Sequence, residues 1–204
     1  MAPMPVFKNL AELEAVHVRQ SVEIFAAGFF EPLPFISSNV DVIANVLEHS
    51  LVLDNHYVAV LDDNVVGVVS ISNAKSRAYN FQRDILIAQL GFMRGRLAFR
   101  RLRNALLQEL HLKESQCYID LVTTDSAFRG LGISTEMQRY LFNNLPYAEY
   151  LLEVAEMNFN AIRVYEELGF IIEERKPEKS FWKSNSMGGK LAMRKVHMTN
   201  QVMN

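Results

Sequence analysis

The chain has 204 residues, half of them hydrophobic, with a formal charge of −2 and a single cysteine, Cys117. That suits the core of one globular domain, and the near-neutral charge gives no case for bulk attraction to nucleic acid or an anionic membrane. One cysteine excludes an intrachain disulfide framework, "MAPMPVFKNL" has no apolar signal core, and no apolar stretch reaches the roughly 20 residues that span a bilayer, so a soluble, cytoplasmic protein is expected.

A first strand is expected within "MPVFKN". "AELEAVHVRQSVEIFAAGFF" carries Leu13, Val16, Ile24 and Phe25 at helical spacing, and the two prolines of "EPLPFIS" break that helix. "NVDVIANVLEHSLV" reads as a second helix. "HYVAVLDDNVVGVVSIS" reads as a hairpin around Asp62, Asp63 and Asn64. Residues 74–115 are mostly helical in composition, with breaks expected at Gly91 and Gly95. Here Arg96, Arg100 and Arg103 share a helical face, which is either solvated or a wall for an acidic group.

The second half alternates. "YIDLVTT" is a strand, "ISTEMQRYLFNNL" a helix with Ile133, Met137, Tyr140 and Leu141 in one stripe, and "EYLLEVA" a strand. "NFNAIRVYEEL" is a helix with Gly169 where a C-cap belongs, and "FIIEERK" and "KLAMRKVHM" are two last strands. The order predicts one mixed α/β domain over residues 1–204, with a mainly helical, arginine-rich insertion at about 74–115.

The chemistry concentrates at "TDSAFRGLGIST", where strand becomes helix. Gly130 and Gly132 let an anion approach the free N–H groups of a helix start, and Arg129 adds a full charge. A tight left-handed turn explains two glycines equally well. A P-loop is excluded because the motif lacks its G-K-[ST] end. A Rossmann fingerprint lacks its third glycine, since Thr135 stands there, and too little chain follows to complete that fold, although Glu153 lies near the place of its ribose-binding acid.

"RGLGIS" at 129–134 resembles the R/Q-x-x-G-x-G/A signature of the GCN5-related N-acetyltransferases. "NFNAIRVYEELGF" resembles that family's second block, with Asn158, Ala161, Tyr165, Gly169 and Phe170 in register. The resemblance is firm over about 116–176. It implies a central mixed, mostly antiparallel sheet flanked by helices, its fourth and fifth strands splayed. It also implies acetyl-CoA as acetyl donor, a primary amine of a small molecule or peptide as acceptor, and direct attack in a ternary complex. Carried over residue by residue, it places pantetheine against the backbone of Val122, Thr123 and Thr124. The pyrophosphate falls on Arg129, Gly130, Leu131, Gly132, Ile133 and Ser134, and Asn158 lies on the pantetheine arm. Three residues depart from the usual pattern: Ser126 stands for a frequent proline, Leu131 for a polar or basic residue, and Ser134 for Gly or Ala.

An amine near pKa 10.4 must lose a proton before it attacks. Asp120 is the candidate base, sharing a face with Val122 and Thr124 if the strand alternation is unbroken; the resemblance implies a bulge, which would shift that phase. Tyr165 is the candidate acid, or the group that positions the departing thiol. Asp120 as an ordinary strand carboxylate and Tyr165 as an ordinary packed aromatic are the competing readings. Phe29, Phe30 and Phe35 border the acceptor side by resemblance, and Trp182 lies in the last hairpin, on the acceptor side or at a homodimer contact. His17, His49, His56, His111 and His197 show no metal spacing, so no metal is expected. The rival readings are a CoA-binding regulatory module without catalysis, and a nucleotide-binding redox domain.

Overall fold

The computed structural model describes residues 4–28, 39–106, 109–177 and 189–197. Among these, seven strands form one sheet in the order β1-β2-β3-β4-β5-β7-β6. The strands are β1 (Val6–Asn9), β2 (His56–Leu61), β3 (Asn64–Asn73), β4 (Gln116–Thr124), β5 (Glu149–Ala155), β6 (Ile171–Lys176) and β7 (Lys190–Val196). Every neighbouring pair is antiparallel except β4 and β5. The first strand expected in "MPVFKN" is therefore present.

The helices are α1 (Ala15–Gly28), α2 (Val40–Glu48), α3 (Arg83–Leu90), α4 (Phe92–Leu106), α5 (Ile133–Asn144) and α6 (Phe159–Glu167). Asn39 starts α2 by accepting from the Asp41 N–H at 2.8 Å. Asp62 and Asp63 both take positive φ, which gives the tight turn that joins β2 to β3. Helix α1 departs from its expected stripe: Val16 is exposed, and the buried face is instead His17, Ser21, Val22, Ile24, Phe25 and Ala26.

Gly91 separates α3 from α4, as expected, but Gly95 breaks nothing. It lies inside α4, and a Cβ there would sit 2.5 Å from the Ile87 Cα. Gly95 thus lets two helices of the insertion touch backbone to backbone.

Two large cores flank the sheet, and a smaller third gathers Leu10, Ile24, Val58, Val65 and Val68. Met137, Leu141 and Phe142 of α5, with partly buried residues of α6, pack on Val69, Ile71, Cys117 and Ile119. The opposite face carries a second core in which α1, α2 and the insertion meet through Val22, Phe25, Ile43, Leu47, Tyr79, Leu86 and Leu102. Burying a side chain of this size stabilises by about 1.5–3 kcal/mol. The insertion is therefore part of the packed structure, laid over the face that α5 and α6 leave free. Phe29, Phe30, Phe35 and Trp182 lie outside the described residues.

Candidate active site

Strand β3 anchors the glycine turn. Gly67 pairs with Thr124, and the Asp125 N–H donates to the Val66 carbonyl at 2.9 Å. A Cβ on Gly67 would lie 2.9 Å from the Met137 Cε, so the bare backbone there lets α5 settle on the sheet. Asp125 caps a short 3-10 turn, Ser126–Phe128, by accepting from the Ala127 N–H. Gly130 and Gly132 then both take φ of +77°, a region that costs an L side chain about 1–2 kcal/mol. Gly132 is the N-cap of α5 and offers no side chain to cap it. The first N–H groups of α5 thus face the turn without a side-chain acceptor, at the positive end of the helix dipole. The space beside both glycines is open. Arg129 reaches back to the Thr124 carbonyl at 3.4 Å, and Leu131 is 69% exposed.

Strands β4 and β5 pair over Gln116–Ile119 and Glu149–Leu152, and the pairing stops there. Beyond it, among the described residues, the edge of β4 facing β5 has no strand partner from Asp120 to Thr124. The parting begins at a β-bulge. Leu121 pairs with Ser70 and Ile119 with Ile71, which leaves Asp120 as the extra residue. The alternation is thereby broken. Leu121 packs with the insertion core, while Val122 packs on the α5 side. Asp120 points to the insertion side and does not share a face with Val122.

The Asp120 side chain is 4% exposed and accepts two hydrogen bonds. The Ser72 hydroxyl donates to Oδ2 at 2.6 Å, and Arg77 Nη2 donates to Oδ1 at 3.3 Å. Arg77 Nη2 also donates to the Leu106 carbonyl, at 2.7 Å. Nε and Nη1 of the same guanidinium are buried with no hydrogen-bond partner among the described residues. Burial pushes the Asp120 carboxyl up to about 6, against the opposing pull of Ser72 and Arg77. Tyr118 lies within electrostatic reach of both acids: burial first, then Glu153 and Asp120, push its phenol up. Burial also acts to raise Glu153, but bonds from Lys176 at 2.7 Å and Lys190 at 3.1 Å outweigh it and hold the carboxyl below the usual range.

Helix α6 follows β5 and carries the other two predicted residues. Asn158 caps it by accepting from the Ala161 N–H at 3.2 Å. Tyr165 stands edge-on to Phe170 with ring centroids 5.7 Å apart, and burial pushes its phenol up to about 12. Cys117 is buried, and burial pushes its thiol up, so it presents no thiolate.

A strand–turn–helix with a bare helix start, beside two parallel strands that part, is a fold-level pattern with known relatives. The profile of the family described as "Acetyltransferase (GNAT) family" matches residues 22–170. The chain belongs to the GNAT acetyltransferase family. Among solved structures, a histone acetyltransferase HPA2 and related acetyltransferase from Corynebacterium glutamicum superposes with a TM-score of 0.65 at 16% identity, covering 98% of this chain and 100% of that one. The ribosomal-protein-S18-alanine N-acetyltransferase from Escherichia coli gives 0.54 at 14% identity, covering 98% and 99%. The NatC complex bound to Gag peptide and CoA gives 0.57 at 16% identity, covering 97% and 100%. At these identities the likeness establishes the fold. A search of curated proteins finds no match.

GNAT enzymes use acetyl-CoA, and the residues present fit it. Two left-handed glycines and an uncapped helix start suit a pyrophosphate, and the free edge of β4 suits an extended amide chain. Among the described residues no group of His, Cys, Asp or Glu is arranged to hold a metal. No helix among them is long and apolar enough to cross a membrane. Sequence reasoning missed Ser72, Arg77 and Tyr118, which the structure places around Asp120 in the candidate site. Ser72 comes from the end of β3 and Arg77 from the loop that opens the insertion, and only the bulge turns Asp120 toward them.

Proposed function

We propose that this chain is an N-acetyltransferase that moves the acetyl group of acetyl-CoA to a primary amine by direct attack in a ternary complex. The observation that carries the reading is the parting of β4 from β5 beside an uncapped, glycine-led helix start. Bound there, acetyl-CoA supplies the activated acetyl group. The backbone of Val122, Thr123 and Thr124 holds the pantetheine amides, and the N–H groups from Arg129 to Ser134 hold the pyrophosphate. The Asn158 amide reaches the pantetheine arm, its Oδ1 already fixed by the helix it caps.

Asp120 takes the proton that the amine loses. An ordinary carboxylate near pKa 4 is a weak base, and burial to about 6 narrows the gap to the amine. Each oxygen keeps a second lone pair beyond its bond to Ser72 or Arg77, so the carboxylate still accepts. Tyr165 acts on the leaving sulfur. With its phenol near 12 and a thiol near 8.5, complete proton transfer to the sulfur is uphill by roughly 5 kcal/mol, so Tyr165 positions and hydrogen-bonds the thiolate.

Two measurements test the reading. Acetyl-CoA raises the melting temperature and NAD(P) does not, which separates the proposal from a redox domain. Isotope-labelled acetyl-CoA incubated without acceptor leaves no label on the protein. A labelled protein would contradict direct transfer.

A further inference from the structure

Helix α4 carries five arginines and no acidic residue. Arg96, Arg100 and Arg103 stand at i, i+4 and i+7, and with Arg83 of α3 they line a hollow of about 330 Å³ whose apolar wall is Leu97 and Phe99. All four arginines are exposed. Arg83 has the adjoining Asp84 at 3.6 Å, itself 91% exposed. Among the described residues no carboxylate lies within ion-pair distance of Arg96, Arg100 or Arg103. Like charges one turn apart cost a helix about 0.2–0.5 kcal/mol per pair. The Arg96 guanidinium lies over the Phe92 ring, 5.4 Å from its centroid, and among the described residues no carboxylate offsets the rest.

The stripe has a direction. Helix α4 ends at Leu106, whose carbonyl accepts from Arg77, and Arg77 holds Asp120. At 1.5 Å per residue, Arg103 lies about 5 Å along the helix axis from Leu106, and Arg96 about 15 Å. The arginines therefore climb away from the carboxylate proposed as base. An extended peptide rising about 3.3 Å per residue spans the same distance in four or five residues.

We infer that this hollow seats the acidic side chains of the acceptor, a peptide or protein whose amine is followed within about two to five residues by Asp or Glu. The inference rests on the acetyltransferase reading for what happens at the amine. Charge complementarity selects the acids. The apolar part selects peptide over a phosphodiester backbone: Leu97 and Phe99 line the hollow, and Phe92 and Met93 are 64% and 83% exposed on the first turn of the same helix.

The test pairs binding with turnover. A fluorescent peptide with a blocked N-terminus, several acidic residues and one leucine binds the wild type, and neutral and lysine-substituted versions do not. Arg100→Glu replaces an attraction with a repulsion and weakens binding about tenfold, and the double variant R96A/R103A does the same. With free N-termini, the acidic peptide has the lower KM, and R100E erases that preference while leaving the KM for acetyl-CoA unchanged. Equal binding of acidic and neutral peptides, or binding indifferent to R100E, overturns the inference. So does equally strong competition by an oligonucleotide, or arginine-dependent binding of a peptide whose amine is less readily acetylated than the neutral one. Failure of the acetyltransferase reading shows separately, as no thiol released with any peptide, and the blocked-peptide arm still decides what the hollow binds.

Discussion

Arg77 and Asp120 meet at 3.3 Å where the insertion begins and β4 bulges, and one Arg77 nitrogen holds both that carboxylate and the last carbonyl of α4. Two other nitrogens of the same guanidinium are buried and have no partner among the described residues. The pair ties the insertion to the proposed base, so the chemistry of one reports on the other.

In the proposed mechanism the ionised Asp120 is the working form, so kcat/KM should fall as pH drops through about 6. Arg77→Met removes a charge that opposes protonation of Asp120. The acid limb then moves to higher pH, and in D120N it disappears. A limb that stays in place in Arg77→Met, in protein whose melting curve remains cooperative, removes Asp120 as the titrating base.

In the cradle, Gly132→Ala places a side chain at φ +77°, a strain of about 1–2 kcal/mol, and calorimetry should find acetyl-CoA binding roughly tenfold weaker. The opposite change is available one residue earlier. Leu131 is 69% exposed, so Leu131→Arg should tighten binding by a few-fold at low salt, and the gain should fade at high salt. A gain indifferent to salt would show that Leu131 does not border the pyrophosphate.

Tyr165→Phe keeps the ring against Phe170 and removes only the hydroxyl. Losing one hydrogen bond to the leaving sulfur, worth about 1–1.5 kcal/mol, lowers kcat about tenfold with little change in the KM for acetyl-CoA. An unchanged kcat at every pH would reduce Tyr165 to packing.

His56 offers a stability test away from the chemistry. Its Nδ1–H donates to the Val52 carbonyl at 2.9 Å, and burial holds the imidazole down at about 4. The unfolded chain takes up this proton near 6.5, before the folded one does. His56 therefore contributes stability that is present above 6.5 and lost as pH falls toward 4, roughly 3 kcal/mol in all. Asp120, raised by burial, acts in the opposite sense over an overlapping range. The comparison that isolates His56 is urea unfolding of wild type against His56→Gln, in which Asp120 cancels. The gap between them should shrink between pH 7 and pH 4.5, and a constant gap would contradict the burial argument.

Much of this molecule was legible in its sequence because local signals and fold agree. Gly130, Gly132 and the periodic stripe of α5 mark the cradle, and Asn158 to Phe170 mark the helix after β5. The failures are non-local. Gly95 reads as a helix break because a sequence does not show that Ile87 backbone lies against it. Alternation alone puts Asp120 on the face of Val122; the family resemblance implies a bulge, but only pairing with β3 shows where it falls and that it turns Asp120 to the other face. Arg77 is one polar residue in a loop until the end of α4 comes back to meet it.

The most direct test is a thiol-release assay with acetyl-CoA against a panel of amines, from polyamines and amino sugars to peptides with neutral and acidic second residues. The account predicts free CoA thiol that appears only with an acceptor, matched by acetylated amine, and released about tenfold more slowly by Tyr165→Phe. Acetyl-CoA binding without thiol release from any of these amines would contradict it and leave a CoA-binding module.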